Sequence, residues 1–169
     1  RALWGWRGVR GVVGTTSIPA ALGWELEVRG ESVLVMAAGP DNLLRRSFNV
    51  EFDGQEGGAR AMLDNQDWRD AGMRYTSSLD ILPFGRLTAG EWENIHLLHD
   101  TLGQLSQVLH TLKSQQRYDW VLIDLPHGFS PLTRQFIEHC DRTIVVVKPD
   151  TNCHVRLHQQ ALPTGAHIL

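Results

Sequence analysis

Short apolar runs are separated along the chain by longer amphipathic segments. The runs are rich in valine, leucine and isoleucine, as is typical of strands that are buried on both faces of a parallel sheet. We predict strands at Leu3–Gly8, Val33–Met36, Leu79–Phe84, Trp120–Leu125 and Thr143–Val147, with another beginning at Gly165.

Helical periodicity appears between these runs. Leu98, Leu102, Leu105, Leu109 and Leu112 recur at steps of four and three, which places them on one face of a helix. Further helices are predicted at Thr16–Val28, Ala59–Leu63 and Pro131–Cys140, and around His154–Ala161.

Alternating strands and helices predict the fold class. Such units form a doubly wound, mostly parallel α/β sheet, in which right-handed crossovers place helices on both faces. At 169 residues, we expect one domain over 1–169. Ligands of these sheets bind at the carboxyl ends of the strands, so candidate chemistry is sought there.

A glycine-containing segment follows the first predicted strand. Gly11 and Gly14 precede a helix, and consecutive backbone N–H groups in such a turn hold an anion. Gly14-Thr15-Thr16 occupies the position of Gly-Lys-Thr in a phosphate-binding loop, where the lysine reaches the outer phosphates and the last hydroxyl binds magnesium. Thr16 retains that hydroxyl, whereas Thr15 carries no charge. The alternative is an ordinary strand-to-helix turn.

An aspartate ends another predicted strand. Asp124 closes the apolar run that begins at Trp120 and precedes Leu125-Pro126. P-loop proteins hold magnesium with an aspartate at this position, directly or through water. A turn or helix-capping role is the alternative, but together with the loop Asp124 favours a metal site.

Composition and charge disfavour several classes of protein. The net charge of −3 disfavours non-specific nucleic-acid binding, which is typical of basic surfaces. Two cysteines do not make a disulfide framework, and no apolar run reaches the roughly 18 residues of a membrane helix. Because the chain starts without methionine and stops within a predicted strand, we expect it to be a fragment.

Several motifs carry a family resemblance. Arg10-Gly-Val-Val-Gly-Thr-Thr-Ser17 resembles the deviant Walker A loop of the ParA/MinD ATPases. More specific strings are similar to the cellulose biosynthesis branch, the BcsQ family. They are Pro40-Asp-Asn-Leu-Leu-Arg, Ser47-Phe-Asn-Val50, Ala59-Arg-Ala-Met-Leu-Asp64, Gln66-Asp-Trp-Arg-Asp-Ala-Gly72 and the segment Asn152–Pro163.

The resemblance implies a P-loop NTPase fold that uses ATP and Mg. It also implies a homodimer and a cytoplasmic accessory factor of cellulose secretion and biofilm formation. The implied partners are a small BcsR-like protein and the inner-membrane cellulose synthase complex, with recruitment to the inner membrane or cell pole. An adenine-contacting strand of the family falls beyond Leu169, so we expect the domain to be C-terminally incomplete.

The resemblance transfers unevenly to individual residues. Arg10 replaces the signature lysine, Thr15 replaces the loop lysine, and Val12 stands at a family glycine. The family's switch aspartate falls on Ala37. The implied magnesium ligands are Thr16 and Asp124. The implied nucleotide-binding residues are Arg10, Gly11, Val12, Val13, Gly14, Thr15, Thr16, Ser17, Pro149 and Asp150.

These replacements predict ATP binding with slow or absent turnover, because phosphoryl transfer depends on charge stabilisation and water positioning. Two alternatives stay open. One is a scaffold of the same complex whose nucleotide site has decayed. The other is a partition ATPase that binds DNA.

Overall fold

Seven strands form one sheet in the computed structural model, which describes residues 2–8, 17–39, 48, 55–125, 131–146 and 166–168. The strands are β1 (Ala2–Gly8), β2 (Val33–Ala37), β3 (Met73–Arg74), β4 (Leu79–Leu82), β5 (Trp120–Asp124), β6 (Arg142–Val146) and β7 (Ala166–Ile168). The helices are α1 (Ser17–Val28), α2 (Gly58–Leu63), α3 (Ala89–Glu93), α4 (Ile95–Gln115) and α5 (Pro131–Ile137), and a 3-10 helix spans Trp68–Ala71.

The strand order is β3-β4-β2-β5-β1-β6-β7. Among the described strands every pairing is parallel except that of β3 with β4. Because β1 lies between β5 and β6, a connection that leaves β1 emerges at the centre of the carboxyl edge of the sheet.

Helices cover both faces of the sheet. On one face, α1 packs so closely that a Cβ added at Gly23 would lie 3.0 Å from Cγ2 of Val35. On the other face, a Cβ at Gly58 would lie 2.8 Å from Leu105 in α4 and 3.5 Å from Leu82 in β4. The core therefore consists of two apolar layers, one on each side of the sheet.

Gly30 and Pro83 determine where α1 and β4 end. α1 ends before Gly30, whose φ of 84° is the left-handed conformation that favours glycine. β4 ends at Leu82, immediately before Pro83, which has no N–H to donate to a sheet ladder. The fold class and the elements predicted within the described residues are confirmed, with ends shifted by a few residues.

Three short elements were not predicted: the 3-10 helix, β3 and α3. The helix predicted around His154–Ala161 lies outside the described residues. α5 ends at Ile137 rather than Cys140, because His139 and Cys140 continue as a hydrogen-bonded turn.

Candidate functional site

The candidate site lies at the carboxyl edge of the sheet, where β1 leads towards α1. β1 ends at Gly8, which pairs with Val146 of β6. The next described residue is Ser17, which begins α1. Residues 9–16 therefore connect the centre of the sheet to the amino end of a helix. Strand-to-helix connections at this position bind anions in nucleotide-binding proteins.

Asp124 occupies the same edge. It is the last residue of β5 and pairs with Trp6 of β1 on one side and Ala37 of β2 on the other. It is half-buried, and its carbonyl oxygen accepts a hydrogen bond from Ala38 N at 2.8 Å. The aspartate is thus anchored through its backbone between the strand that leads to the loop and its neighbour.

The side chains of β5 alternate between the two faces of the sheet, and this alternation shows which face carries Asp124. A Cβ at Gly23 of α1 would lie 3.9 Å from Cδ1 of Leu122, so the Leu122 side chain is on the α1 face of β5. Residues two apart in a strand share a face. Asp124 therefore belongs to the face covered by α1, the helix that residues 9–16 precede.

Ala37, at the end of β2, stands where the resemblance implies a second acidic residue beside Asp124. The resemblance assigns a switch aspartate to this position, and the structure pairs it directly with Asp124. Ala37 is 3% exposed. A methyl group beside Asp124 offers neither a ligand for a cation nor an acceptor for water.

The described residues include two members of the predicted site, Ser17 and Asp124. Those two lie at the amino end of α1 and the carboxyl end of β5, respectively. The other predicted members, Arg10–Thr16, Pro149 and Asp150, lie outside the described residues. Within the described ranges, no group of three or more His, Cys, Asp or Glu residues has the arrangement of a metal site.

A second polar region, which the sequence did not indicate, lies on the α4 face of the sheet beside β3 and β4. Arg69, Arg74 and Arg117 line one cavity there. Arg117 is far in sequence from Arg69 and Arg74, and the three have no motif spacing, so only the folded chain brings them together.

Across the described residues, no helix is both long and apolar enough to cross a membrane.

Solved structures with similar folds include an ATPase and a protein complexed with Mg-ADP. A ParA family ATPase from Chlorobium tepidum superposes with a TM-score of 0.75 at 18% identity, covering 99% of this chain and 72% of that one. The septum site-determining protein MinD from Pyrococcus horikoshii, complexed with Mg-ADP, also gives 0.75 at 22% identity, covering 99% and 68%. These likenesses establish the ParA/MinD-type fold.

Comparison with curated protein sequences identifies a narrower family than the fold does. Curated cellulose biosynthesis proteins BcsQ match over 168 residues, at 60% identity for Salmonella typhi and 57% for Escherichia coli K12. Each match covers 99% of this chain and 67% of the relative. The family model for cellulose biosynthesis protein BcsQ matches residues 2–169. The chain therefore belongs to the BcsQ family of cellulose biosynthesis proteins.

Proposed function

We propose that the protein is an accessory factor of bacterial cellulose synthesis that binds Mg-ATP at the carboxyl edge of its sheet. In this proposal ATP is hydrolysed slowly or not at all, and the bound nucleotide acts as an assembly signal. The observation that carries the proposal is the adjacency of two strand ends. β1, which leads into the 9–16 segment, lies beside β5, which ends at Asp124.

The donor chemistry at this edge fits magnesium. Mg²⁺ prefers carboxylate, hydroxyl and water oxygens, and Asp124 supplies a half-buried carboxylate at the strand end. Thr16 and Asp124 would hold the ion, and a bound magnesium neutralises charge on the nucleotide phosphates. The backbone amides of residues 10–16 would bind those phosphates. The MinD relative that is complexed with Mg-ADP supports this assignment.

Slow hydrolysis follows from missing charged groups. Thr15 has no positive charge to stabilise the transferred phosphoryl group, and Ala37 has no oxygen with which to order water. Removing one preorganised donor from such a site typically costs on the order of 10²–10³ in rate. Arg10 retains a guanidinium, which binds phosphate as a planar fork.

The proposed assembly is a homodimer that operates with a small BcsR-like partner at the cytoplasmic side of the inner-membrane cellulose synthase complex. Arg10 would reach the nucleotide of the partner subunit. Family membership supports a role in cellulose synthesis and gives no support to DNA partition.

A nucleotide-free scaffold is the second candidate, and one observation favours it. The buried Ala37 replaces a polar group directly beside Asp124. A scaffold would dock to the same complex without needing a ligand.

Calorimetric titration with Mg-ATP distinguishes these candidates. We expect saturable binding by the unmodified chain and at least about tenfold weaker binding by Thr16→Ala and Asp124→Asn, because each removes a magnesium ligand. Thr111→Ala and Asp70→Asn are matched controls on helices away from the site, and we expect them to bind normally. Phosphate release measured at saturating ATP should be slow or undetectable.

Absence of binding heat from the folded chain would overturn the nucleotide proposal and favour the scaffold. Normal affinity in Asp124→Asn would retain nucleotide binding but remove Asp124 from it. Rapid phosphate release would contradict the roles given to Thr15 and Ala37.

A further inference from the structure

A cavity lies on the α4 face of the sheet, beside β3 and β4. Its volume is about 200 Å³, and it opens between the 3-10 helix, β3 and the carboxyl end of α4. The floor consists of Leu34, Leu82 and Leu112, which are 3%, 1% and 3% exposed. Trp68 and Met73 form partly buried walls. An apolar floor inside an open cavity suits the apolar part of a ligand.

The rim of the cavity is positively charged. Among the residues that the structure describes, Arg69, Arg74 and Arg117 line it together with a single acidic residue, Asp80. Arg69 lies over the Trp68 ring, with its Cζ 4.8 Å from the centroid, and its Nη1 contacts Asp67 at 3.2 Å. The charge of Arg69 is therefore compensated by Asp67. Asp80 offsets one of the two remaining positive charges, so Arg74 and Arg117 together still leave the rim with a net positive charge.

Asp80 contacts both Tyr118 and Arg74, but it binds one of the three nitrogens of the Arg74 guanidinium. Its Oδ2 accepts a hydrogen bond from the Tyr118 hydroxyl at 2.5 Å, and its Oδ1 contacts Arg74 Nε at 3.3 Å. Burial, together with the bond to Asp80, raises the pKa of Tyr118 to about 12, so the hydroxyl stays a donor at neutral pH. Among the described residues, the two terminal nitrogens of Arg74 have no hydrogen-bond partner.

The guanidinium of Arg117 is also available to bind an acceptor. Its Cζ lies 5.5 Å from the centre of the Tyr118 ring, and within the described part of the chain no acceptor binds its guanidinium. Arg74 and Arg117 thus flank the Tyr118–Asp80 pair, one through the carboxylate and the other through the ring.

Arg60 shows what a structural arginine looks like in this protein. It donates to both oxygens of Glu91 and both of Asp64, and to the carbonyl oxygen of Arg86. The contrast indicates that the guanidiniums of Arg74 and Arg117 are available to an external anion.

We propose that this cavity binds a small aromatic anion, whose ring rests on the leucine floor and whose carboxylate or phosphate group is held by Arg74 and Arg117. An apolar cavity of about 150 Å³ accommodates benzene, so the volume of this one suffices for a ring with a charged substituent. Guanidinium groups bind both head groups through paired N–H donors. The site is separate from the proposed nucleotide site, because Leu82 and Leu112 place it on the α4 face of the sheet, whereas Asp124 belongs to the α1 face.

Benzoate is the probe, and the indole N–H resonance of Trp68, assigned with Trp68→Phe, is the readout. We expect benzoate to shift this resonance saturably. Acetate, which lacks the ring, and benzyl alcohol, which lacks the charge, should bind about tenfold more weakly or not at all. A carboxylate is used because a phosphate probe could also bind at the proposed nucleotide site on the carboxyl edge.

Arg74→Gln and Arg117→Gln should each weaken benzoate binding about fivefold or more, because each removes a charged donor. Arg29→Gln, which alters an exposed arginine directly after α1, should bind benzoate normally. A shift of the same size with acetate would overturn the proposal, and so would unchanged affinity in both cavity variants. The absence of any saturable benzoate shift in the folded chain would overturn it as well.

Discussion

The two edges of the sheet use aspartate differently. At the amino edge, Asp119 accepts from Ser32 N and Oγ at 2.9 and 3.1 Å, and Asp141 accepts from Leu3 N and from Lys113 Nζ, both at 2.8 Å. These carboxylates join strand ends to neighbouring elements. At the carboxyl edge, Asp124 ends β5 between β1 and β2, on the edge from which the 9–16 segment leaves β1.

Residue type alone therefore does not identify a site. An aspartate beside a strand is structural when backbone N–H groups of neighbouring segments converge on its oxygens. It is a candidate ligand when it ends a parallel strand next to a loop that precedes a helix. Substitutions at the first kind should lower stability, and substitutions at the second should lower affinity.

The largest expected effect is a loss of stability where α2 packs against the carboxyl end of β4. α2 is seated against the end of β4 through a close backbone approach, where a Cβ at Gly57 would lie 2.1 Å from Gly85 N. Gly57→Ala should therefore lower the free energy of unfolding by about 3 kcal/mol or more, measured by denaturant titration.

Gly90→Ala is the matched control, because a Cβ at Gly90 meets nothing within 4 Å. Alanine at this position in α3 should be neutral or slightly stabilising. Equal stability of Gly57→Ala and Gly90→Ala would show that the approach of α2 to β4 is not tight.

Asp119→Ala should have the next largest effect. It leaves Ser32 N without its carboxylate acceptor in a partly buried turn, and should cost about 2 kcal/mol of unfolding free energy. For a chain of this length, that lowers Tm by roughly 4–8 °C. Asp70→Ala, at an exposed aspartate of the 3-10 helix, serves as the control.

The affinity for Mg-ATP of the folded Asp119→Ala variant should equal that of the unmodified chain. A loss of affinity as large as that of Asp124→Asn would remove the distinction between the two edges.

A smaller, pH-dependent effect is expected at Glu91. Hydrogen bonds from Arg60, and then from the backbone N–H of Thr88, lower the pKa of this carboxylate to about 2. A lowered native pKa stabilises the fold above the ordinary value, and this stabilisation disappears as pH falls towards the native value. The stability difference between the unmodified chain and Glu91→Gln should therefore shrink between about pH 5 and pH 2.

Glu93→Gln is the control for Glu91→Gln, because it removes a charge from an exposed glutamate in the same helix. Stability curves measured against pH test the assignment. Identical pH dependence in the two variants would contradict a special role for the Arg60–Glu91 pair.

Much of the fold was predictable because the core strands are continuous apolar runs, and α4 repeats leucine at helical spacing. The missed elements are small. β3 has two residues, and its pairing with β4 depends on chain reversal rather than on an apolar pattern. α3 did carry a local signal, since Thr88 and Glu91 form a capping box at its start.

The candidate site was only partly predictable. Asp124 was identifiable because it ends a buried apolar run, and its neighbours Trp6 and Ala37 became known only from the strand order. The arginine-lined cavity left no sequence signal. Trp68, Arg74 and Arg117 come from the 3-10 helix, β3 and the connection between α4 and β5, and tertiary packing alone brings them together.

The most direct test of the nucleotide site replaces Mg²⁺ by paramagnetic Mn²⁺ with bound ATP and records amide resonances. Binding at the proposed site should broaden Ser17, Ala38 and Asp124 at the carboxyl edge and spare Ser32 and Asp119 at the amino edge. Selective broadening at the amino edge, or no broadening near Asp124 at saturating Mn-ATP, would contradict the account.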